Sequence, residues 1–279
     1  MFLEIIKFII YSALIVLISK YILVTTLRKL AESLKLKPKT VGNIAGYATS
    51  IPELLTITTS SLRGLSGASV YNIISSNVIN FIQYIGAILL NKNVDKIKNR
   101  AIITDIILVI FTILIPIVLL KMNIELNIMI VPIFVILYIL FRVINDNVHK
   151  MYLKNEDEKI EHEIEVEEEK ESKNRFQTIK YIIYLVITGF LLYFVGDKLG
   201  NTLETLCKLF NISEAIIGIL LGFITSIPEL MTFFESQKYY KKEADDMLGV
   251  VEATNNLLTS NILNLFAIQT IGILITSIL

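Results

Sequence analysis

The chain has 279 residues, 54% of them hydrophobic and 19% charged, and its 26 basic and 26 acidic side chains cancel. A soluble domain carries about 25% charged residues, so this composition, with a mean hydropathy of +0.65, points to a membrane protein whose first partner is the lipid bilayer. Zero net charge removes nucleic acid as the default partner; the single cysteine, Cys207, excludes an intrachain disulfide or thiolate cage; and two histidines, His149 and His162, exclude an HExxH zinc site.

A bilayer core requires about 20 apolar residues per helix. Eight stretches meet that need: 8–26, 40–62, 69–90, 101–121, 124–144, 177–196, 213–235 and 250–276. The fold class expected is therefore an all-α membrane protein of about eight transmembrane helices. The first stretch is long, carries Lys20 and lacks a small-residue cleavage site, so it reads as a span and not a signal peptide. The last stretch, Met247 to Leu279, has 33 residues, too few for two spans.

Lys and Arg near helix ends set orientation. With eight spans, twenty of the 26 basic residues fall on one side, five on the other, and Lys20 within a span. The bias places both termini outside and the basic loops in the cytoplasm, in a plasma membrane. The only long polar segment, 146–176, holds eleven acidic and six basic residues. Such a composition cannot bury a core, and it reads as an acidic cytoplasmic connector. It divides a first half, 1–145, from a second half, 177–279.

Each half contains one copy of an internal repeat. Gly42–Thr56 aligns with Gly218–Thr232 at an offset of 176, with nine of fifteen positions identical. Asn72–Asn80 aligns with Asn256–Asn264 at an offset of 184. The eight extra residues fall in the 237–245 loop, where insertions are tolerated. The repeats extend over about 27–90 and 203–276. An odd number of helices separates their starts, so the copies enter the membrane with inverted topology. Secondary transporters are built this way, with the site at the midplane between repeats.

Both copies carry Thr-Ser-Ile-Pro-Glu inside an apolar helix. Pro52 and Pro228 have no N–H, so the carbonyls of Ala48 and Ile224 lose their helical donors. Freed carbonyls cannot face lipid. Thr49, Ser50, Thr225 and Ser226 add hydroxyls on the same turns, and Glu53 and Glu229 add carboxylates. A charged side chain at mid-membrane costs about 2.5–3.5 kcal/mol on insertion scales, so a symmetric pair implies a compensating cation or proton. Oxygen donors suit hard cations such as Ca²⁺ or Na⁺. Asn80 and Asn264 are expected at the site, and Ser76 and Ser260 either ligate or permit close packing. Asp105 reads as interfacial. Glu252 has Ala68 as its repeat mate and stands outside the paired set. No cofactor is implied, and no nucleophile–base set marks an enzyme.

Together these motifs resemble the two alpha repeats of the sodium/calcium exchanger (cation/calcium antiporter) superfamily. The resemblance implies a central site where Ca²⁺ and Na⁺ compete, with Glu53, Glu229, Thr49, Ser50, Thr225, Ser226, Ser76, Ser260, Asn80 and Asn264 around it. It adds the carbonyls of Gly46 and Gly222, and it implies that spans one and six slide to alternate access. Some family positions differ here. Ala48 and Ile224 stand where relatives have the glycine before Thr-Ser, and Ser75 and Thr259 where they have the glycine before Ser-Asn. Many relatives have Asp at the position of Asn264, and members typically have ten spans. An eight-span chain is expected to be completed by a second copy or a partner, or else to be a truncated remnant. Two alternatives stand beside sodium/calcium exchange: a cation/proton antiporter, and a membrane interaction protein that transports nothing.

Overall fold

The computed structural model describes residues 2–34, 36–122, 124, 126–152, 175–211, 213–242 and 245–278. Among them every regular element is a helix. Most of the predicted acidic connector, 153–174, lies outside the described residues.

The first crossing is one rod. Helix α1 (Phe2–Ile18) passes through a π-helical stretch, Ser19–Val24, into α2 (Thr25–Ser33). The predicted span 40–62 is two helices of twelve residues, α3 (Pro38–Thr49) and α4 (Ile51–Leu62), meeting at Ser50. Helices α5 (Ser66–Leu90), α6 (Arg100–Lys121) and α7 (Val131–Tyr152) complete the first half. In the second half α8 (Arg175–Phe210) is followed by another broken pair, α9 (Glu214–Thr225) and α10 (Ile227–Lys242), meeting at Ser226. The last crossing is α11 (Asp246–Ile262), a π-helical stretch Leu263–Ile268, and α12 (Gln269–Ile278).

Seven helical stretches among the described residues are long and apolar enough to cross a membrane. The α3–α4 pair, the eighth predicted crossing, is not among them, whereas the equally broken α9–α10 pair is. The break has a local cause. Pro52 and Pro228 sit in the first turns of α4 and α10, where proline's missing N–H is tolerated. Two residues before them the backbone takes nearly the same conformation in both copies, Ser50 at φ −82, ψ 0 and Ser226 at φ −79, ψ −3.

Two predicted spans fall short of the helices. Helix α7 continues past 144 to Tyr152, and α8 past 196 to Phe210. The extension of α8 is amphipathic: Leu199, Leu203 and Leu206 are buried. Leu199 and Leu203 join Ile15, Leu23 and Leu27 in an apolar cluster beside the first rod. The larger core lies between α5, α6, α7 and α11. There Phe266 meets Phe134 and Phe141 edge-on at 5.6 and 5.3 Å between centroids.

Asp105, expected at the interface, is fully buried. It accepts hydrogen bonds from Asn145 (2.8 Å) and pairs with His149 (2.6 Å). The extra turns of α7 carry both partners over it, which the shorter predicted span could not do.

The first rod is tied to α11 by Arg28, whose two terminal nitrogens lie 2.8 and 2.6 Å from the Glu252 carboxylate. At the far end of the bundle Arg63 bonds Asp197 at 3.0 Å. The Glu252 side chain is 4% exposed. Removing one partner of a buried pair costs about 3–5 kcal/mol, whereas replacing both by apolar groups is often neutral. Arg28→Met is therefore expected to lower the thermal midpoint in detergent, and Arg28→Met/Glu252→Met to recover most of the loss. A double variant no more stable than the single one contradicts this.

Candidate functional site

The broken helices meet the second block of the opposite repeat. Helix α3 packs along α11, and α9 along α5. Small residues allow the approach. A Cβ on Gly46 would stand 2.8 Å from the carbonyl oxygen of Asn256, and one on Gly222 2.8 Å from that of Asn72. Position 72 plus the repeat offset of 184 is 256, so the two contacts are the same contact in the two copies.

These crossings gather the predicted residues at one place. Glu53, Glu229, Thr49, Thr225, Ser50, Ser226, Ser76, Ser260, Asn80 and Asn264 are all buried to within 1% of full burial. The hydroxyls of Thr225 and Ser76 face Glu53, and those of Thr49 and Ser260 face Glu229. Each glutamate thus meets a serine of its own repeat and a threonine of the other. Ser260 Oγ donates to Glu229 Oε1 at 3.0 Å and lies 2.9 Å from Ser50 Oγ. Ser76 and Thr225 hydroxyls lie 3.4 Å apart.

The predicted carbonyls are engaged. Gly46 accepts from Ser50 Oγ at 2.9 Å, and Gly222 from Ser226 Oγ at 2.7 Å. Each also accepts a backbone N–H, Gly46 from Ser50 at 3.3 Å and Gly222 from Ser226 at 3.2 Å, so both lone pairs of each carbonyl are engaged.

Four further asparagines belong to the centre. Asn77 and Asn261, equivalent by the repeat, exchange side-chain-to-backbone bonds: each Nδ2 donates to the other's carbonyl, at 3.2 and 3.1 Å. Asn80 donates to Asn261 Oδ1 and Asn264 to Asn77 Oδ1, both at 3.2 Å. Asn72 donates to Thr56 at 2.8 Å, and Asn256 bonds Thr232 in the same way. The repeat alignment contains all four, and their recurrence at the same offset as Asn80 and Asn264 is the signal in the sequence that marks them.

After these bonds, acceptors remain without partners. Both carboxylate oxygens of Glu53, Oε2 of Glu229, and Oδ1 of Asn80 and of Asn264 are buried and reached by no hydrogen bond of ordinary geometry. A buried acceptor with no donor costs about 1–3 kcal/mol, more when charged. Every one of these atoms is an oxygen, and the side-chain amide donors point away to each other's repeat. The arrangement can accept hard cations. Among the described residues no three of His, Cys, Asp and Glu stand together, so the oxygens are two carboxylates and neutral donors.

The centre has polar neighbours toward each end. On one side lie Thr56 and Asn72, then Ser61, Ser69 and Gln269 along a cleft of about 550 Å³. On the other lie Thr232 and Asn256, then a space of only about 20 Å³ lined by Thr232, Arg28 and Glu252.

Comparisons with known proteins agree with this fold. The family model described as sodium/calcium exchanger protein matches residues 5–145 and 180–279. Solved structures of the sodium-calcium exchanger NCX_Mj have the same fold. The form soaked with 100 mM Na⁺ and 10 mM Sr²⁺ superposes with a TM-score of 0.58 at 18% identity, over 99% of this chain and 83% of that one. The form with 10 mM Na⁺ and zero Ca²⁺ gives 0.55 at 20% identity, over 99% and 84%. The form with zero Na⁺ and Ca²⁺ gives 0.52 at 20% identity, over 99% and 83%. Among curated proteins, none matches this chain in sequence.

Proposed function

Since the chain belongs to the sodium/calcium exchanger family, whose members are membrane cation antiporters and not enzymes, we propose that it exchanges Ca²⁺ for Na⁺ at the centre of its inverted repeats. The observation that carries this reading is the set of buried, partnerless oxygens on Glu53, Glu229, Asn80 and Asn264. Water cannot be the only answer to two buried carboxylates; a cation is the partner whose charge matches. Thr49, Thr225, Ser76 and Ser260 face the carboxylates and supply neutral oxygens as ligands. Ser50 and Ser226 hold the carbonyls of Gly46 and Gly222 in place.

One pair of carboxylates serves either ion, and this competition couples their movements. Leaving the pair ionised and empty in the low-dielectric centre is costly, so the protein changes state with the pair neutralised, by Ca²⁺ or by Na⁺ in the exchange cycle and by protons in the alternative. The polar neighbours on the two sides of the centre provide the two routes. In this structure a cleft of about 550 Å³ lies beside Ser61 and Gln269, and on the other side the Arg28–Glu252 pair lines a space of only about 20 Å³. The distribution of Lys and Arg puts the Arg28 end and the acidic 146–176 segment in the cytoplasm. The two halves, 1–145 and 177–279, contribute one glutamate each.

Vesicles containing the purified protein and an internal Na⁺ load are expected to accumulate ⁴⁵Ca²⁺ until the Na⁺ gradient is collapsed. Accumulation driven equally well by a pH gradient in Na⁺-free medium would assign the protein to cation/proton exchange instead. No accumulation under either gradient would remove transport altogether.

A further inference from the structure

Arg142 falls near the end of the predicted span 124–144. In the structure it lies within α7, ten residues before the end of the helix at Tyr152. Its depth is fixed by its contacts. Nη1 donates to Thr259 Oγ1 at 3.0 Å and to Asn43 Oδ1 at 3.4 Å, and Nη2 donates to Tyr47 OH at 2.7 Å. Thr259 immediately precedes Ser260, which bonds Glu229. Tyr47 lies two residues before Thr49. The guanidinium therefore stands at the level of the ion site, against α3 and α11, the helices that bring Thr49 and Ser260 to Glu229.

Its partners are all neutral. The guanidinium sits over the rings of Tyr47 and Tyr138, at 5.2 and 5.7 Å from their centroids. Among the described residues it forms no ion pair, in contrast to Arg28 with Glu252 and Arg63 with Asp197. A bare positive charge at this depth is expensive. The unpaired charges of opposite sign at the same level are Glu53 and Glu229. The other repeat has no equivalent: Ile219, Phe223 and Ser75 occupy the positions matching Asn43, Tyr47 and Thr259.

We propose that Arg142 is a specificity-determining residue, a fixed positive charge beside the site that disfavours divalent relative to monovalent cations. The proposal rests on the reading of the centre as a cation site. With both carboxylates ionised, the three fixed charges sum to −1. One Na⁺ brings the sum to zero, whereas Ca²⁺ brings it to +1. The work of bringing an ion up to a fixed charge is proportional to the ion's own charge. The effect of Arg142 on Ca²⁺ affinity is therefore the square of its effect on Na⁺ affinity.

The test is calorimetric titration of the purified full chain with Ca²⁺ alone and with Na⁺ alone, at ionic strength held constant with choline chloride. Arg142→Gln is expected to tighten Ca²⁺ binding about tenfold and Na⁺ binding only about threefold, in the ratio that charge dictates. Arg142→Lys keeps the charge and is expected to retain the original ratio. Tyr138→Glu places a carboxylate beside the guanidinium and is expected to act like Arg142→Gln, which keeps the test open if the latter does not fold. Equal changes for both ions, or an Arg142→Lys protein that behaves like Arg142→Gln, would mean that the side chain only holds α3, α7 and α11 together, and would overturn the proposal. Failure of the unaltered protein to bind either ion would overturn the reading of the site, and this inference with it.

Discussion

Glu53→Gln and Glu229→Gln, made singly, are each expected to reduce Na⁺-driven ⁴⁵Ca²⁺ uptake by about 100-fold or more, on the scale of one close charge pair at an effective dielectric of about 20. The exchange keeps size and one carbonyl oxygen but removes a full charge from a site whose oxygens have almost no protein donors. The same change carries a second, opposite signature. In ion-free medium the native protein holds two buried carboxylates with no cationic partner among the described residues, and burying an uncompensated charge is destabilising. Each glutamine variant should therefore match or exceed the native protein in ion-free thermal stability, while losing the rise in midpoint that Ca²⁺ confers on the native protein. A merely structural glutamate would behave the other way, with its amide variant less stable in every medium. Near-normal uptake in both variants would remove Glu53 and Glu229 from the site.

The part of this architecture that is local in sequence could be read from it. The breaks at Ser50 and Ser226 are dictated by a proline two residues on, and the paired glutamates follow one residue later. The inverted arrangement follows from counting helices between copies. Contacts over long separations left no such trace. Arg28 and Glu252 lie 224 positions apart, and neither has a charge-matched counterpart in the other repeat. The residues from Asp146 to Lys150 read as the start of a loop because three charged or titratable side chains end the apolar run. In fact α7 buries Asn145 and His149 against Asp105, and holds Arg142, half-buried, against α3 and α11. Paired polar side chains made a helix face look like a helix end. The asparagine lattice was visible as a repeated pattern, yet its purpose depends on two helices crossing, which spacing within one helix does not reveal.

Gly222→Val is expected to disable the protein by a different route from the glutamate variants. A Cβ at position 222 would lie 2.8 Å from both the Asn72 carbonyl oxygen and the Ser76 backbone nitrogen, and neither can rotate away as a side-chain tip would. Helix α9 must then withdraw from α5. Overpacking costs about 1–3 kcal/mol when side chains yield, and a backbone obstacle sets the expected loss at the upper end, equivalent to a fall of about 6–12 °C in midpoint for a chain of this size. Withdrawal also moves Thr225 away from Glu53 and breaks the 3.4 Å contacts from Ser76 to Thr225 and to the Gly222 carbonyl. Transport is therefore lost together with stability, and added Ca²⁺ should restore neither, because the ligands no longer converge. Gly46→Val meets the Asn256 carbonyl at the same 2.8 Å and should reproduce the result from the other half of the molecule. Gly86 is the control, since nothing lies within 4 Å of a Cβ built there. Gly86→Val is expected to fold and to transport, and a defect there as large as at Gly222 would mean that valine's effect on the helix itself, not the close crossing, is responsible.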